Sequence, residues 1–343
     1  MHSLTVLAVI CNAVDWEEIA DFGKSRKDFL SGYLDLTNGI PSHDTFNRFF
    51  SLFSPEKFQT LFIGWLHELL NIKTEAENQV AIDGKSSKLM ASKNNTMLHL
   101  LNAYLVDKQC ILGQVKTEDK SNEITAIPML LEILELTGAI VSIDAMGCQK
   151  NIAEKIIEKQ ADYFLAVKQN LKILYEDIES AFLVFKKTDD NYYLSEEING
   201  SRVETRTCKV IEDLSHLSTG IEWKGLKKVV MIQTQTYLKS ENKTRSENRF
   251  YITSKETSAE NYLKISRNHW AIENNLHWSL DVILGEDKSR KRTNNVAEKF
   301  SVILKVIIKL LQEKQALNKK ISIKRMRKMA AWNLDYLNEL IKF

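Results

Sequence analysis

The stretch AIVSIDAMGCQKNIAEKIIEKQADYFLAVK, residues 139–168, decides the fold class. AIVSI is an apolar run that ends in an acid, Asp144, and a small residue, the pattern of a buried strand with a polar tip. A helix over Asn151–Gln160 follows, then YFLAVK as another strand, then a helix over Leu171–Phe185. Upstream, VAIDG repeats the strand-then-acid pattern at Asp83, and Gly84 follows it. MLHLLNAYLVD and CILGQVK read as two more strands joined across Asp107-Lys108. Thr125 is placed to cap a helix running through Leu136, with Pro128 in its first turn. Strands first as a meander and then alternating with helices predict an α/β fold, a mixed sheet flanked by helices.

Further outward the pattern changes on both sides. Residues 1–77 carry helical spacing only. Leu4–Ala13 is one helix, and Trp16, Ile19 and Phe22 continue the spacing after Asp15. Ser42 caps a helix with Phe46, Phe49 and Phe50 on its apolar face, and Ser54-Pro55-Glu56 opens another. This is read as an N-terminal helical domain. Residues 186–256 hold the β-like segments SRVETRTCKVI, KKVVMIQTQTYL and RFYITS, read as a β-rich insertion. The expected division is 1–77, 78–185, 186–256, 257–315 and a basic C-terminal tail at 316–343.

After the insertion, Arg267 to Glu298 reads RNHWAIENNLHWSLDVILGEDKSRKRTNNVAE. Ile272, Leu276, Leu280 and Ile283 form an apolar helical stripe, and His269, Glu273, His277 and Asp281 climb the adjacent face. Glu273 thus stands where the helix enters the protein body. On this helix alone, a structural acid and a ligand are both open readings. Two histidines flanking Glu273 also permit a helical zinc site, although the spacing is not the short two-His, one-Glu pattern. A helix over Phe300–Leu311 and the basic run KKISIKRMRK follow.

Composition bounds the possibilities. The 343 residues are 44% hydrophobic and 27% charged, enough to bury a sizeable core. The net charge is only +2, yet residues 286–328 hold fourteen Lys or Arg against four acids, a segment suited to a polyanion or to a solvated helix face. Four scattered cysteines without a CxxC pair argue against a zinc ribbon or a disulfide framework and suit a reducing cytoplasm. The apolar run Leu4–Val14 is too short to span a bilayer, so no membrane partner is expected.

Asp83 and Asp144, each at a strand end, and Glu273 on a later helix are the candidate constellation. One strand-end acid is as often solvation or a helix cap. Three converging carboxylates repel one another and favour a divalent cation, and oxygen ligands suit Mg²⁺ or Mn²⁺. Two such ions about 4 Å apart activate a water or a 3′-hydroxyl and stabilise the leaving oxygen of a phosphodiester.

The chain resembles bacterial insertion-sequence transposases of the DDE class, in the group that includes the H-repeat-associated proteins. The resemblance runs nearly its whole length, through NGIPSHDTFNRFF (38–50), AIDGK (81–85), KSNEITAIP (120–128), SIDAMGCQKNIAEKI (142–156), HWAIENNLHWSLDV (269–282) and GEDKSR (285–290). It implies an RNase H-like sheet, with Asp83, Asp144 and Glu273 as catalytic and metal-holding triad, and a β-rich stretch interrupting the fold before the last catalytic helix. It also implies cleavage of double-stranded DNA at terminal inverted repeats and joining to target DNA, a homodimer on DNA, and a cytoplasmic, nucleoid-associated location. Lys85, Lys168, Arg202 and Arg206 are candidate phosphate contacts, each weighed against a plain surface charge. Trp270 is a candidate base contact, and Arg290, Lys291 and Arg292 candidate backbone contacts. The sequence departs from the family at Lys88, usually Arg, and at Gly200-Ser201-Arg202, usually His-Gly-Arg. His269 and Leu280 stand where related transposases have Arg and Lys, and the family extends further ahead of the point matching His2. These departures motivate the alternative, a catalytically inactive derivative that binds element ends as a repressor or relic.

Overall fold

The computed structural model describes residues 1–87, 98–117, 123–288 and 295–342. Its first part is helical: α1 (His2–Ile10), α2 (Trp16–Ser25), α3 (Lys27–Ser31), α4 (His43–Leu52) and α5 (Pro55–Leu69). Asp15, Ser42 and Ser54 cap α2, α4 and α5, each side chain accepting from the N–H three residues on. The aromatic faces meet one another, with Trp16 stacked on Phe50 at 4.9 Å between ring centres.

The sheet has nine strands in the order β3-β2-β1-β4-β5-β9-β8-β7-β6. Strands β1 (Gln79–Ser87), β2 (Leu98–Leu105) and β3 (Cys110–Thr117) form the antiparallel meander. Strands β4 (Ile140–Ile143) and β5 (Asp162–Val167) run parallel to β1, with α7 (Lys150–Glu158) crossing between them. This is an RNase H-like mixed sheet with flanking helices. Helix α6 (Glu123–Glu132) begins ahead of Thr125, so Thr125 is not its cap and Pro128 lies inside it. Proline removes one helical hydrogen bond there, and the chain leaves the helix before the expected Leu136. Helix α8 (Lys172–Leu183) follows β5.

The β-rich stretch extends this same sheet. Strands β6 (Tyr192–Asn199), β7 (Arg202–Ile211), β8 (Lys228–Leu238) and β9 (Lys243–Thr253) form a meander whose last strand pairs antiparallel with β5. β6 escapes a reading from the sequence because no position along it is fully buried, so it carries no apolar signal.

Helix α9 (Ala259–His269), capped by Ser258, then leads into a π-helical segment over Ile272–Ile283. The Leu284 N–H donates to the Ser279 carbonyl five residues back. Ile272, Leu276 and Leu280 are buried as the stripe requires, each worth roughly 1.5–3 kcal/mol. Helix α10 (Val296–Leu317) is buried on every side from Val296 to Leu311. Its residues pack both into the core of the N-terminal helices and, through Val306 and Leu310, into the core under the sheet. Helices α11 (Ile323–Trp332) and α12 (Leu334–Leu340) close the chain against α1 and α10. Among the described residues no helix is long and apolar enough to cross a membrane.

Candidate active site

The register of the sheet brings the two aspartates together. Ile82 of β1 lies opposite Ile143 of β4 in the last paired position of the two parallel strands, so Asp83 and Asp144 follow side by side. β4 ends there, whereas β1 runs on to Ser87 against β2, so Asp83 lies within its strand and not at its end as expected. Strand ends of this kind are where an α/β sheet gathers ligands. Asp144 ends β4 because its Oδ1 accepts from the N–H groups of Met146 and Gly147, turning the chain away. The π-helical segment lays Glu273 over the same place. The three acids line one cavity of about 690 Å³, together with Lys168, Asn170, Arg249 and Trp270.

Charge is unrelieved there. Burial, then the neighbouring Glu273 and Asp144 carboxylates, push the Asp83 carboxyl up to about 7, with Glu123 adding to the repulsion. Gly84 is required beside it, because a Cβ would overlap the Glu123 carboxylate. The rest of the polar helix row also faces this end of the sheet. His269 Nδ1 is 3.1 Å from Ser142 Oγ, His277 Nδ1 is 3.6 Å from Asp83 Oδ2, and Asp281 binds Lys85. Burial lowers His269 to about 4 and His277 to about 3, so both imidazoles are neutral at pH 7. His269 and His277 thus turn to different partners. Among the described residues no group of three His, Cys, Asp or Glu is set to hold a metal ion, and the two histidines of the helical zinc reading face Ser142 and Asp83 respectively. The same observation means that the three acids share a cavity without being drawn around one point. Their donor chemistry, all carboxylate oxygen under mutual repulsion, nevertheless fits a hard divalent cation.

The expected DNA contacts divide. Lys168, exposed at the end of β5, and Trp270, 39% exposed, line the cavity. Lys85 does not reach for phosphate. Its side chain is 9% exposed, and its Nζ donates to both Asp281 oxygens at 2.6 and 2.7 Å, with Glu286 at 3.6 Å. Burial alone would lower the Lys85 pKa, but the Glu286 and Asp281 carboxylates outweigh it and raise the value. Arg202 and Arg206 sit on β7, away from the cavity. Arg202 pairs with Glu204 at 2.5 Å, and Arg206 with Glu204 and Glu197. Glu204 lies two residues from each arginine on the same strand, and Glu197 reaches Arg206 from the neighbouring strand of the hairpin. Arg290, Lys291 and Arg292 lie outside the described residues, as does Lys88.

Three lining or neighbouring groups escape a reading from the sequence. Glu123 comes from α6. Asn170 donates to the Ala145 carbonyl at 2.8 Å and so braces the turn after Asp144. Arg249, from β9, pairs with Glu247 and lies over the Trp270 ring at 5.0 Å. Strand pairing across the insertion brings Arg249 there, and no local motif announces it.

Comparison with known proteins gives concordant findings. The family profile described as "Transposase DDE domain" matches residues 75–310, and that described as "DDE_Tnp_1-associated" matches residues 2–66. The chain is 39% identical to the "H repeat-associated putative transposase YhhI" of Escherichia coli K12, over 98% of this chain and 90% of that one. It is 41% identical to the "Putative transposase YncI" of Escherichia coli O157:H7, over 98% of this chain and 87% of that one. A solved piggyBac transposase synaptic complex with hairpin DNA aligns with a TM-score of 0.45 at 8% identity, over 100% of this chain and 72% of that one.

Proposed function

The chain belongs to the transposase family with a DDE domain, and from that premise we propose that it cuts DNA at the ends of an insertion sequence and joins the freed 3′-hydroxyl to target DNA. Asp83, Asp144 and Glu273 are the groups that would hold the Mg²⁺ or Mn²⁺ this chemistry uses. The observation that carries the reading is their meeting in one cavity, two from register-matched positions on adjacent parallel strands and one from the π-helical segment. When bound, the divalent ions supply the Lewis acidity that makes a water or a 3′-hydroxyl nucleophilic and steadies the departing oxygen. The attacking oxygen forms a bond to phosphorus as the bond to the 3′-oxygen breaks, and that oxygen takes up a proton. In the joining step the same 3′-oxygen attacks a target phosphate, losing its proton and displacing the target's own 3′-oxygen.

The chain's residues prepare this. Asp144 lines the cavity while its Oδ1 accepts from the backbone of the turn that follows, which orients its carboxylate. Asp83, up to about 7 through burial and its acidic neighbours, has most to gain from a cation. Lys168 lies on the cavity wall, where it meets a phosphate flanking the cut. Trp270 gives the wall an apolar face against the DNA. Paired element ends call for a homodimer.

The test is cleavage of a labelled duplex carrying the element terminus, in Mg²⁺ or Mn²⁺. Wild type nicks at the element end, and Asp144→Asn does not. Nicking retained by Asp144→Asn would overturn the assignment. End-specific binding without nicking by wild type would instead identify an inactive derivative acting as a repressor or relic.

A further inference from the structure

The catalytic helix has a second polar side. Asn274, Trp278 and Val282 follow one another at helical spacing on the face next to the Glu273 row, and all three are exposed, Trp278 at 53%. They form one wall of a groove of about 740 Å³, separate from the catalytic cavity. The opposite wall comes from the end of α10, with Gln312 and Gln315, and from the turn into α11, with Lys319 and Lys324. Among the described residues no acid lines this groove. The Gln312 Oε1 is buried and has no hydrogen-bond partner among the described residues. An unsatisfied amide of this kind costs free energy until something donates to it. Beyond the groove, residues 314–328 contain no acid, and Lys319, Lys320, Lys324, Arg325 and Lys328 are exposed with no ion pair among the described residues.

Resting on the reading of the chain as a DNA-cutting enzyme, we propose that this groove is a second DNA site, which seats the duplex beside the cut. Lys319 and Lys324 neutralise phosphates. Asn274, exposed on this wall, presents an amide edge of the kind that pairs with base edges in a duplex groove, adenine above all. Trp278 supplies the apolar face for a sugar or a thymine methyl. Five free cations and an acid-free wall favour a polyanion over a protein partner, whose interface would deplete lysine. Because Asn274 and Trp278 share the π-helical segment with Glu273, DNA seated in the groove also fixes the helix that carries the catalytic acid.

The experiment measures binding of the full chain to a fluorescein-labelled duplex of the element terminus over a series of salt concentrations, without divalent metal. Lys319→Gln combined with Lys324→Gln lowers the slope of log affinity against log salt by about 2. Lys224→Gln with Lys227→Gln, each lysine already paired with a glutamate, leaves the slope unchanged. Asn274→Ala weakens binding to the terminus about fivefold to a hundredfold and binding to a scrambled duplex far less. Unchanged slope and affinity in the Lys319/Lys324 variant would overturn the proposal. So would a variant that keeps the slope but loses self-association in sedimentation, since the groove would then join copies of the chain. Failure of wild type to nick the duplex bears on the catalytic reading alone, because binding is read without metal.

Discussion

Glu298→Gln should stabilise the protein at alkaline pH and not at acid pH. Glu298 lies in the first turn of α10, the helix shared by both cores, and is 9% exposed. Burial, opposed by Lys116, aided by Glu56 and opposed again by Lys305 and Lys299, lifts its carboxyl from 4.5 to about 7. Between those values the folded chain holds a proton that the unfolded chain has released, so stability falls as pH rises through this window. Above about 7 both states are ionised and the folded state carries the whole penalty. At about 1.4 kcal/mol per pH unit, the penalty is about 3 kcal/mol. Glutamine keeps the shape and removes the charge. The variant should therefore melt about 4 °C above wild type at pH 8, given the unfolding entropy of a chain this long, and within a degree or so of it at pH 4.5. Calorimetry of the two proteins across pH 4.5–8 measures the difference. A gap that stays constant with pH, or a variant less stable at pH 8, would refute the placement of Glu298 as a buried, uncompensated acid.

Other perturbations follow from the same geometry. Lys85→Met strands Asp281 and the 2%-exposed Glu286, and should cost about 3–5 kcal/mol in urea unfolding. The salt dependence of DNA binding should not change with it, since Lys85 meets carboxylates and not phosphate; a reduced slope would show otherwise. Gly84→Ala drives a methyl into the Glu123 carboxylate and should cost about 1–3 kcal/mol. Adding Glu123→Ala should recover part of that loss. Strict additivity of the two changes in a double-mutant cycle would place the clash elsewhere.

How much of this was legible in the sequence depended on whether the signal was local. The runs VAI and AIVSI before Asp83 and Asp144 mark both strands, because apolar burial is written in consecutive residues. Asp144 does end its strand, but β1 continues past Asp83 to Ser87 because β2 keeps pairing with it. The row His269, Glu273, His277 and Asp281 beside the apolar stripe is legible from its four-residue spacing, whereas its contacts with Ser142, Asp83 and Lys85 at the sheet, and the π geometry of the segment, are not. Caps at Ser42 and Ser54 were equally plain. What failed depended on partners. Lys85 meets Asp281 of the π-helical segment and Arg206 meets Glu197 across the hairpin, partners distant in sequence, whereas Glu204, two residues from Arg202 and Arg206, is written beside them. Arg249 and Glu123 reach the site through strand order and helix packing, which no single motif encodes. β6 was missed because an exposed edge strand has no buried face to announce it.

Mn²⁺ binding, followed by electron paramagnetic resonance on the full chain without DNA, tests the central claim most directly. If Asp83, Asp144 and Glu273 converge on a divalent cation, wild type takes up Mn²⁺, Asp83→Ala and Glu273→Gln lose most of that binding, and Lys319→Gln retains it. Equal Mn²⁺ binding by wild type, Asp83→Ala and Glu273→Gln would contradict the claim.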